Sequence, residues 1–468
     1  MRVMHIVSGR LYGGVETLLV TLARCRELCP AMDPEFALCF DGRLREELSA
    51  SGVAIHLLGE VRARNPLSVL RARRSLREVL NARGVDLAIC HLPWTNAILG
   101  PSVRSAGIPL IFWMHGVMNR LTWLDRWAAM TPPDAVICNS KYTANSLPAI
   151  FPRVPSKVIY LPVAPPARDR SAQDRLDIRR EFDTLADAIV IVQVGRIERL
   201  KGHLVHLTAL SQLREVPNWI AWFVGGAQRL AEVAYEAELK SAASALGIAD
   251  RIRFVGERSD VAKILAASDI LCQPNIAPEG FGITFIEALY AGLPVVTSAL
   301  GGSLEIVDSS CGIMVPPRKP EAVADALEKL IGDRDLRLRL GAAGPARAKQ
   351  LTDPAVQMSQ LRSLLGELSD RVEDDRGNAL ARTDNKLPTD INLKPPASKA
   401  RWRKLENDMQ RLAFRFSTIR HLGCRADPHG DQKCFPQCCW RVAISSSGKP
   451  SGSYSRRPLV SLYNAVPA

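Results

Sequence analysis

Short runs of Val, Ile and Leu alternate with longer amphipathic stretches through the first 315 residues, and this alternation limits the fold more than any other feature of the chain. Val3–Val7, Phe36–Phe40, Val53–Leu58, Leu87–His91, Leu110–His115, Ala135–Asn139 and Lys157–Leu161 make one series. Ile189–Val194, Ile220–Val224, Ile252–Val255, Ile270–Gln273, Pro294–Thr297 and Gly312–Val315 make a second. A strand apolar on both faces must be covered on both, which a parallel sheet flanked by helices provides. The intervening stretches carry helical periodicity: Ser259–Ala267 ends in KILAAS, and Pro320–Leu330 sets Val323, Leu327 and Leu330 on one face. Two β-α-β-α series of similar length predict an α/β chain of two Rossmann-like, doubly wound domains facing across a cleft. Residues 1–170 form the first domain and 188–352 the second. The Pro-, Arg- and Asp-rich stretch from Pro162 to about Asp187 reads as a hinge, and an amphipathic helix at Pro354–Leu368, within 353–369, closes the globular part.

Residues 370–468 are polar and lack periodicity, and are expected to be a disordered basic tail with one short helix at Trp402–Phe416. Of the chain's 61 Lys and Arg and 48 Asp and Glu, residues 371–468 hold 18 and 9, which leaves 43 against 39 for the rest. The basic character belongs to the tail, so no nucleic-acid partner is expected. No run of about 18 apolar residues occurs, which argues against a membrane-spanning helix. The opening MRVMHIVSGR reads as a first strand and not a signal peptide, and the protein is expected in the cytoplasm. Cys25, Cys29, Cys39, Cys90, Cys138, Cys272 and Cys311 are scattered along apolar segments, as reduced core cysteines would be. Cys434, Cys438 and Cys439, near His421 and His429 in the tail with Cys424, match no common zinc spacing.

Three glycine-bearing loops each follow a strand run and open a helical one. In SGRLYGGVE, Gly13 and Gly14 would let a phosphate approach exposed helix N–H groups, or simply make a tight turn. The loop does not fit G-x-G-x-x-G. In VGRIERLKGH, Arg196 and Lys201 straddle the turn beside Gly195 and Gly202. Two cations at a strand's carboxyl end suit a diphosphate, though a solvated surface turn would look the same. In PEGFGITFIEALYAGLPVV, Glu279 precedes the helix and Glu287 lies within it, while Gly280 and Gly282 leave the N–H groups of Ile283 and Thr284 exposed. Two carboxylates at different depths can accept hydrogen bonds from two hydroxyl-bearing parts of one ligand. An acid–base pair or a capping arrangement is the alternative.

Taken together these motifs resemble the retaining GT-B glycosyltransferases, glycosyltransferase family 4 or "group 1". The resemblance rests on Gly-Gly-Val-Glu, Gly-Arg-x4-Lys-Gly and Glu-Gly-Phe-Gly with Glu-x7-Glu. It is supported in order by Phe254-Val-Gly-Glu257 before Asp260, Ser268-Asp269, Gly301-Gly302 before Glu305 and Gly312-Ile-Met-Val-Pro316. It covers about residues 1–368, strongest from 189 to 317. It implies that the Gly13–Gly14 backbone touches the diphosphate of a nucleotide-sugar donor and that His115, ending an apolar run, reaches the transferring sugar near its anomeric carbon. It further implies that Arg196 and Lys201 neutralise the diphosphate, that Glu279 holds sugar hydroxyls and Glu287 the ribose, and that main chain around Glu257 and Arg258 contacts the base. Gly280, Phe281, Gly282, Ile283 and Thr284 complete the donor-binding set. Without the resemblance, IFWMHG reads equally as a core strand ending in a satisfied histidine.

The implied reaction is hexosyl transfer to a glycan or lipid-linked acceptor with retention, in cell-surface polysaccharide or glycolipid synthesis. No cofactor and no metal are expected: no Asp-x-Asp stands at a strand end, and the core has no ligand-spaced cluster. Rival functions on the same fold are a nucleotide-sugar 2-epimerase and a catalytically silent binding protein. Residues 61–83 hold Arg62, Arg64, Arg71, Arg73, Arg74, Arg77 and Arg83 against Glu78, with Val69, Ala72, Leu76, Val79 and Leu80 on the opposite side. This segment reads either as docking on an anionic membrane or as an outer helix packed on its own sheet.

Overall fold

The computed structural model describes residues 1–118, 122–166 and 172–368; the tail, with its cysteine group and the helix expected at Trp402–Phe416, lies outside the described residues. Every strand run of the sequence forms a strand, and all pair in parallel. β1 (Arg2–Val7), β2 (Asp33–Leu38), β3 (Ala54–Leu57), β4 (Leu87–His91), β5 (Leu110–Met114), β6 (Ala135–Cys138) and β7 (Ser156–Val158) form a sheet ordered β3-β2-β1-β4-β5-β6-β7. β8 (Ile189–Val194), β9 (Trp219–Val224), β10 (Ile252–Gly256), β11 (Ile270–Gln273), β12 (Val295–Ser298) and β13 (Gly312–Val315) form the second, ordered β10-β9-β8-β11-β12-β13. Each sheet winds outward from its first strand in both directions. The loops after β1 and β4, and after β8 and β11, therefore open a crevice at the carboxyl edge of each sheet.

Three apolar cores hold the layers. One lies on the outer face of the first sheet and includes Met4, Ile6, Cys90, Phe112 and Leu76. Another lies on the outer face of the second and includes Ile191, Leu207, Trp219 and Leu327. The third runs without interruption from Val3, Leu18 and Trp113 of the first domain through Ile159, Leu161 and Val163 to Val192, Phe285 and Leu289 of the second. The helix at 354–368 brings Met358, Leu361, Leu364, Leu365 and Leu368 into that shared core, while Lys157 pairs with Glu367 at 3.8 Å beside the first sheet. The chain thus crosses between domains twice, and the Val163 N–H donates to the Thr352 carbonyl at 3.1 Å where the crossings meet.

The stretch expected to be a plain hinge contains a helix, Ala172–Glu181, anchored to the second domain. Arg179 is buried and donates to the carbonyls of Ala267 (3.0 Å) and Ala188 (2.8 Å) and to Asp269 (2.7 Å), which also accepts from Arg175 at 2.7 Å. Composition pointed to a loop because the helix buries only Ile178 and Arg179 and carries no apolar stripe. The long helix Arg334–Thr352 was likewise not anticipated, since Pro345 and its glycines break the pattern.

The arginine-rich segment folds as the helix Pro66–Arg83, with the Asn65 side chain capping Leu67 and Ser68 and Gly84 ending it in the left-handed region. Val69, Ala72, Leu76 and Leu80 are buried in the first domain's outer core. Its apolar face is therefore spent on its own sheet, leaving Arg64, Arg71, Arg74 and Arg77 exposed with Leu67 and Leu70. Of the seven cysteines outside the tail, six are buried and Cys25 is half-buried, all as free thiols. Among the described residues no helix is long and apolar enough to cross a membrane, and no three His, Cys, Asp or Glu side chains are grouped so that they could hold a metal ion.

Candidate functional site

The three glycine loops meet. A Cβ added to Gly14, the first residue of the helix Gly14–Arg24, would stand 3.7 Å from Cγ2 of Ile283, the first residue of the helix Ile283–Tyr290. Two helix N-termini from different domains therefore face each other, each with unpaired N–H groups and the positive end of its dipole. The third loop also lies against the end of β5, where a Cβ on Gly280 would land on the His115 carbonyl oxygen. The Ser140 hydroxyl donates to the Gly280 carbonyl at 2.5 Å, and the Asn139 side chain donates to the His115 carbonyl at 3.2 Å. Phe281 is buried and stacks on Tyr160 at 5.5 Å.

Close backbone approach, and not turn geometry alone, accounts for several glycines here. Gly282 caps its helix with φ +105°, and any side chain there would run into Phe285. Gly301 (φ +61°) and Gly302 lie against the main chain of Glu279–Phe281, and the Gly302 N–H donates to the Glu279 carbonyl at 2.9 Å. The Gly-Gly pair before Glu305 thus forms the floor under the Glu279 loop.

Lys201 reaches over Gly195 and forms an ion pair with Glu279; both side chains are largely buried. Gln273, at the end of β11, donates to the other Glu279 oxygen at 3.4 Å. Burial pulls the Lys201 ammonium down to about 8, with Glu198 opposing the shift and Arg196 adding to it. Arg196 pairs with Glu198 and with Glu232, the latter at 3.3 Å. Without ligand, each cation of the second loop is thus satisfied by a carboxylate. An incoming diphosphate would replace those carboxylates, exchanging one charge-assisted contact for another.

Glu287 is half-buried one turn into its helix, has no side-chain partner among the described residues, and is pushed up to about 7 by burial. Ile283 and Thr284 are half-buried at the mouth of the same helix. At the far end of the crevice Glu257 pairs with Arg43 of the first domain at 3.2 Å. Arg258 turns away from the crevice: its guanidinium binds Asp260 at 2.8 Å and Glu181 at 2.5 Å, so only its main chain remains available there.

Glu16, Tyr12 and Gln228, which the sequence reading passed over, also line this region. Glu16, the last residue of Gly-Gly-Val-Glu, is buried in the first turn of its helix, and desolvation raises it to about 7. Tyr12 and Gln228 join the two domains through a pair of bonds, Tyr12 N–H to the Gln228 side-chain oxygen at 3.1 Å and the Gln228 amide to the Tyr12 carbonyl at 3.2 Å. On the opposite side the Glu305 carboxylate accepts from the N–H groups of Lys141 (2.9 Å) and Tyr142 (2.8 Å) and from the Tyr160 hydroxyl (2.8 Å). His115 is joined through its Nε2 to buried His91, and burial holds His115 at about 3, so it stays neutral near pH 7.

Residues 12–165 match the family model described as Glycosyltransferase Family 4, and residues 174–347 match the one described as Glycosyl transferases group 1. A D-inositol 3-phosphate glycosyltransferase of Actinosynnema mirum is 30% identical over 278 residues, 54% of this chain and 66% of that protein. A phosphatidyl-myo-inositol mannosyltransferase of Mycobacterium leprae is 40% identical over 129 residues, 27% of this chain and 34% of that protein. The chain spans about half the length of the curated relatives it matches. Among solved structures, Anabaena HepE in complex with UDP and glucose superposes with a TM-score of 0.71 at 23% identity, covering 78% of this chain and 99% of that one. WaaG, described as a glycosyltransferase involved in lipopolysaccharide biosynthesis, does so with 0.61 at 17% identity, covering 77% and 99%. These likenesses establish the two-domain GT-B fold.

Proposed function

The chain belongs to the group 1 glycosyltransferases, and from that premise we propose that it transfers a hexosyl-type sugar from a nucleotide-diphosphate sugar to a glycan or lipid-linked acceptor, with retention of anomeric configuration. The observation that carries the reading is the meeting of Lys201, Glu279 and the facing helix N-termini at Gly14 and Ile283. Breaking the anomeric C–O bond leaves positive character on the sugar and negative charge on the departing diphosphate. Arg196, Lys201 and the two sets of helix N–H groups stabilise that charge where it develops, which lowers the barrier without a metal. Glu279, released from Lys201 as the diphosphate takes the ammonium, accepts hydrogen bonds from sugar hydroxyls. Glu287 accepts from the ribose, and the main chain of Glu257–Arg258 borders the base. His115 lies against the sugar on the first-domain side. Same-face transfer follows if the leaving phosphate oxygen takes the acceptor's proton, since neither face needs a protein nucleophile.

The expected setting is the cytoplasmic side of a membrane, in polysaccharide or glycolipid synthesis. The exposed arginines of Pro66–Arg83 give the first domain a surface suited to anionic lipid; equal flotation with acidic and neutral vesicles would remove that part. Nucleotide release from a panel of UDP-, GDP- and ADP-hexoses, with and without acceptor glycans or glycolipids, tests the reaction itself. Release that requires acceptor supports transfer. Conversion of the donor without acceptor would indicate an isomerase, and binding without conversion a silent binding protein.

A further inference from the structure

Three histidines form a row through the first sheet. His5 lies within β1, His91 ends β4 and His115 follows β5, on adjacent strands and on the same face of the sheet. The register sets Ile6 opposite Cys90 and His91 opposite Trp113, so each step to the next strand moves two residues toward the carboxyl edge. The row therefore climbs from the sheet's interior to the crevice. Nδ1 of His5 is 3.0 Å from Nε2 of His91, and Nδ1 of His91 is 3.0 Å from Nε2 of His115. His5 stacks on Phe36 at 5.2 Å, and His91 and His115 both stack on Trp113, at 5.5 and 5.8 Å, which fixes the ring planes. His5 and His91 have no exposed surface, His115 is half-buried, and the nitrogens at the two ends of the row, His5 Nε2 and His115 Nδ1, are both buried and have no partner among the described residues.

A neutral imidazole has one N–H and one lone pair. Burial keeps all three rings neutral. Two hydrogen bonds joining three neutral rings then allow only two arrangements: every ring protonated on Nδ1, or every ring on Nε2. A mixed row would place two lone pairs or two protons against each other. The three tautomers are therefore locked into one. If Nε2 carried the protons, an N–H would end at His5, sealed in the core where nothing can accept it. If Nδ1 carried them, the core end would be a lone pair and the N–H would end at His115, whose Nδ1 is also covered but whose residue is partly exposed beside the Gly280 loop, so an acceptor that a ligand brings to that edge of the crevice could meet it. Orphaned buried N–H groups are rare in proteins.

We propose that the row is protonated on Nδ1 throughout, so that His115 donates a hydrogen bond from Nδ1 to an oxygen of the donor's sugar or diphosphate, and that His91 and His5 are positioning residues that hold it in that tautomer. The identity of the acceptor oxygen rests on the transferase reading; the tautomer does not. His115 is then neither a base nor a nucleophile, because its Nε2 lone pair is occupied by His91 and its other nitrogen carries the proton.

Nitrogen-15 NMR of the full chain labelled in histidine tests this directly, with signals assigned by single substitutions. The expected result is a protonated Nδ1 and an unprotonated Nε2 in His5, His91 and His115 alike; an Nε2 proton on His5 or His115 overturns the proposal. His5→Asn places an amide where His5 Nδ1 lies, and that amide can turn either its N–H or its oxygen toward His91 Nε2, so the lock is released. In that variant the His91 and His115 signals should move to a mixture of tautomers, and donor kcat/KM should fall a few-fold as the competent fraction drops. Unchanged tautomers in a folded His5→Asn protein would overturn the role given to His5. Should that variant not fold, the wild-type spectrum alone decides. A protein with the expected tautomers but no transferase activity would sink the functional reading and leave the row standing.

Discussion

Lys201 and Glu279 are the residues on which the chemistry turns. Lys201→Ala removes a cation from the departing diphosphate, and Glu279→Ala removes an acceptor from the sugar, so each should lower kcat by about 10²-fold or more. Steady-state rates at saturating donor check this, and near-wild-type turnover in either variant would reassign the roles. Glu287 supplies a pH prediction. Burial holds its carboxyl at about 7, so it is neutral below that pH and charged above it. Only the charged form accepts hydrogen bonds from both ribose hydroxyls, so donor affinity should fall as pH drops through 7. Glu287→Gln should flatten that limb in a calorimetric titration, while the part due to Glu16, which sits near the same value, remains. Spacing in the sequence was enough to pick out Arg196, Lys201, Glu279 and Glu287. It was not enough for Glu198 and Glu232, which matter because they hold Arg196 and which lie two and thirty-six residues from it in the chain. His5 and His91 were hidden for the same reason: each sits in an apolar run, and only the strand order brings them beside His115.

The elements were legible where burial on two faces dictated composition. β4, β8, β11 and β13 match their apolar runs residue for residue, because a strand covered on both sides has little freedom in side-chain choice. Elements held by polar contacts escaped: Ala172–Glu181 is fastened by Arg175 and Arg179, and its sequence resembles a linker. Two tests belong at this scale. Gly280→Ala puts a methyl on the His115 carbonyl and should push the third loop off the end of β5, costing about 10²-fold in kcat/KM through misplacement of Glu279. Gly332→Ala, which has open space around it, is the matched control and should leave activity unchanged. Leu365→Ala hollows the shared core at a residue that is 2% exposed, and a loss of about 2–5 kcal/mol in denaturant unfolding is expected. A loss well under 1 kcal/mol would mean that the 354–368 helix contributes little to that core.

At the scale of the molecule, the two domains are joined by a small set of polar contacts around the crevice. Glu305 takes three hydrogen bonds from the first domain, and bonds to a charged acceptor are worth about 1.5–3 kcal/mol each when well buried. Glu305→Ala should widen the angle between domains and raise the donor KM. Small-angle scattering read alongside kinetics tests this: an unchanged radius of gyration with unchanged KM would show the contact to be dispensable. The two-domain division was readable from the repeat of strand runs. The contacts across it were not, because each joins residues more than a hundred positions apart. The double crossing of the chain has a mechanical consequence. A body tied at one point to another can swing and twist, whereas one tied at two neighbouring points can only turn about the line through them. With Val163 bonded to Thr352 at that line, opening and shutting would bring Gly14 and Ile283 back into the same alignment on every cycle, so that accuracy at the reacting atoms is secured far from them.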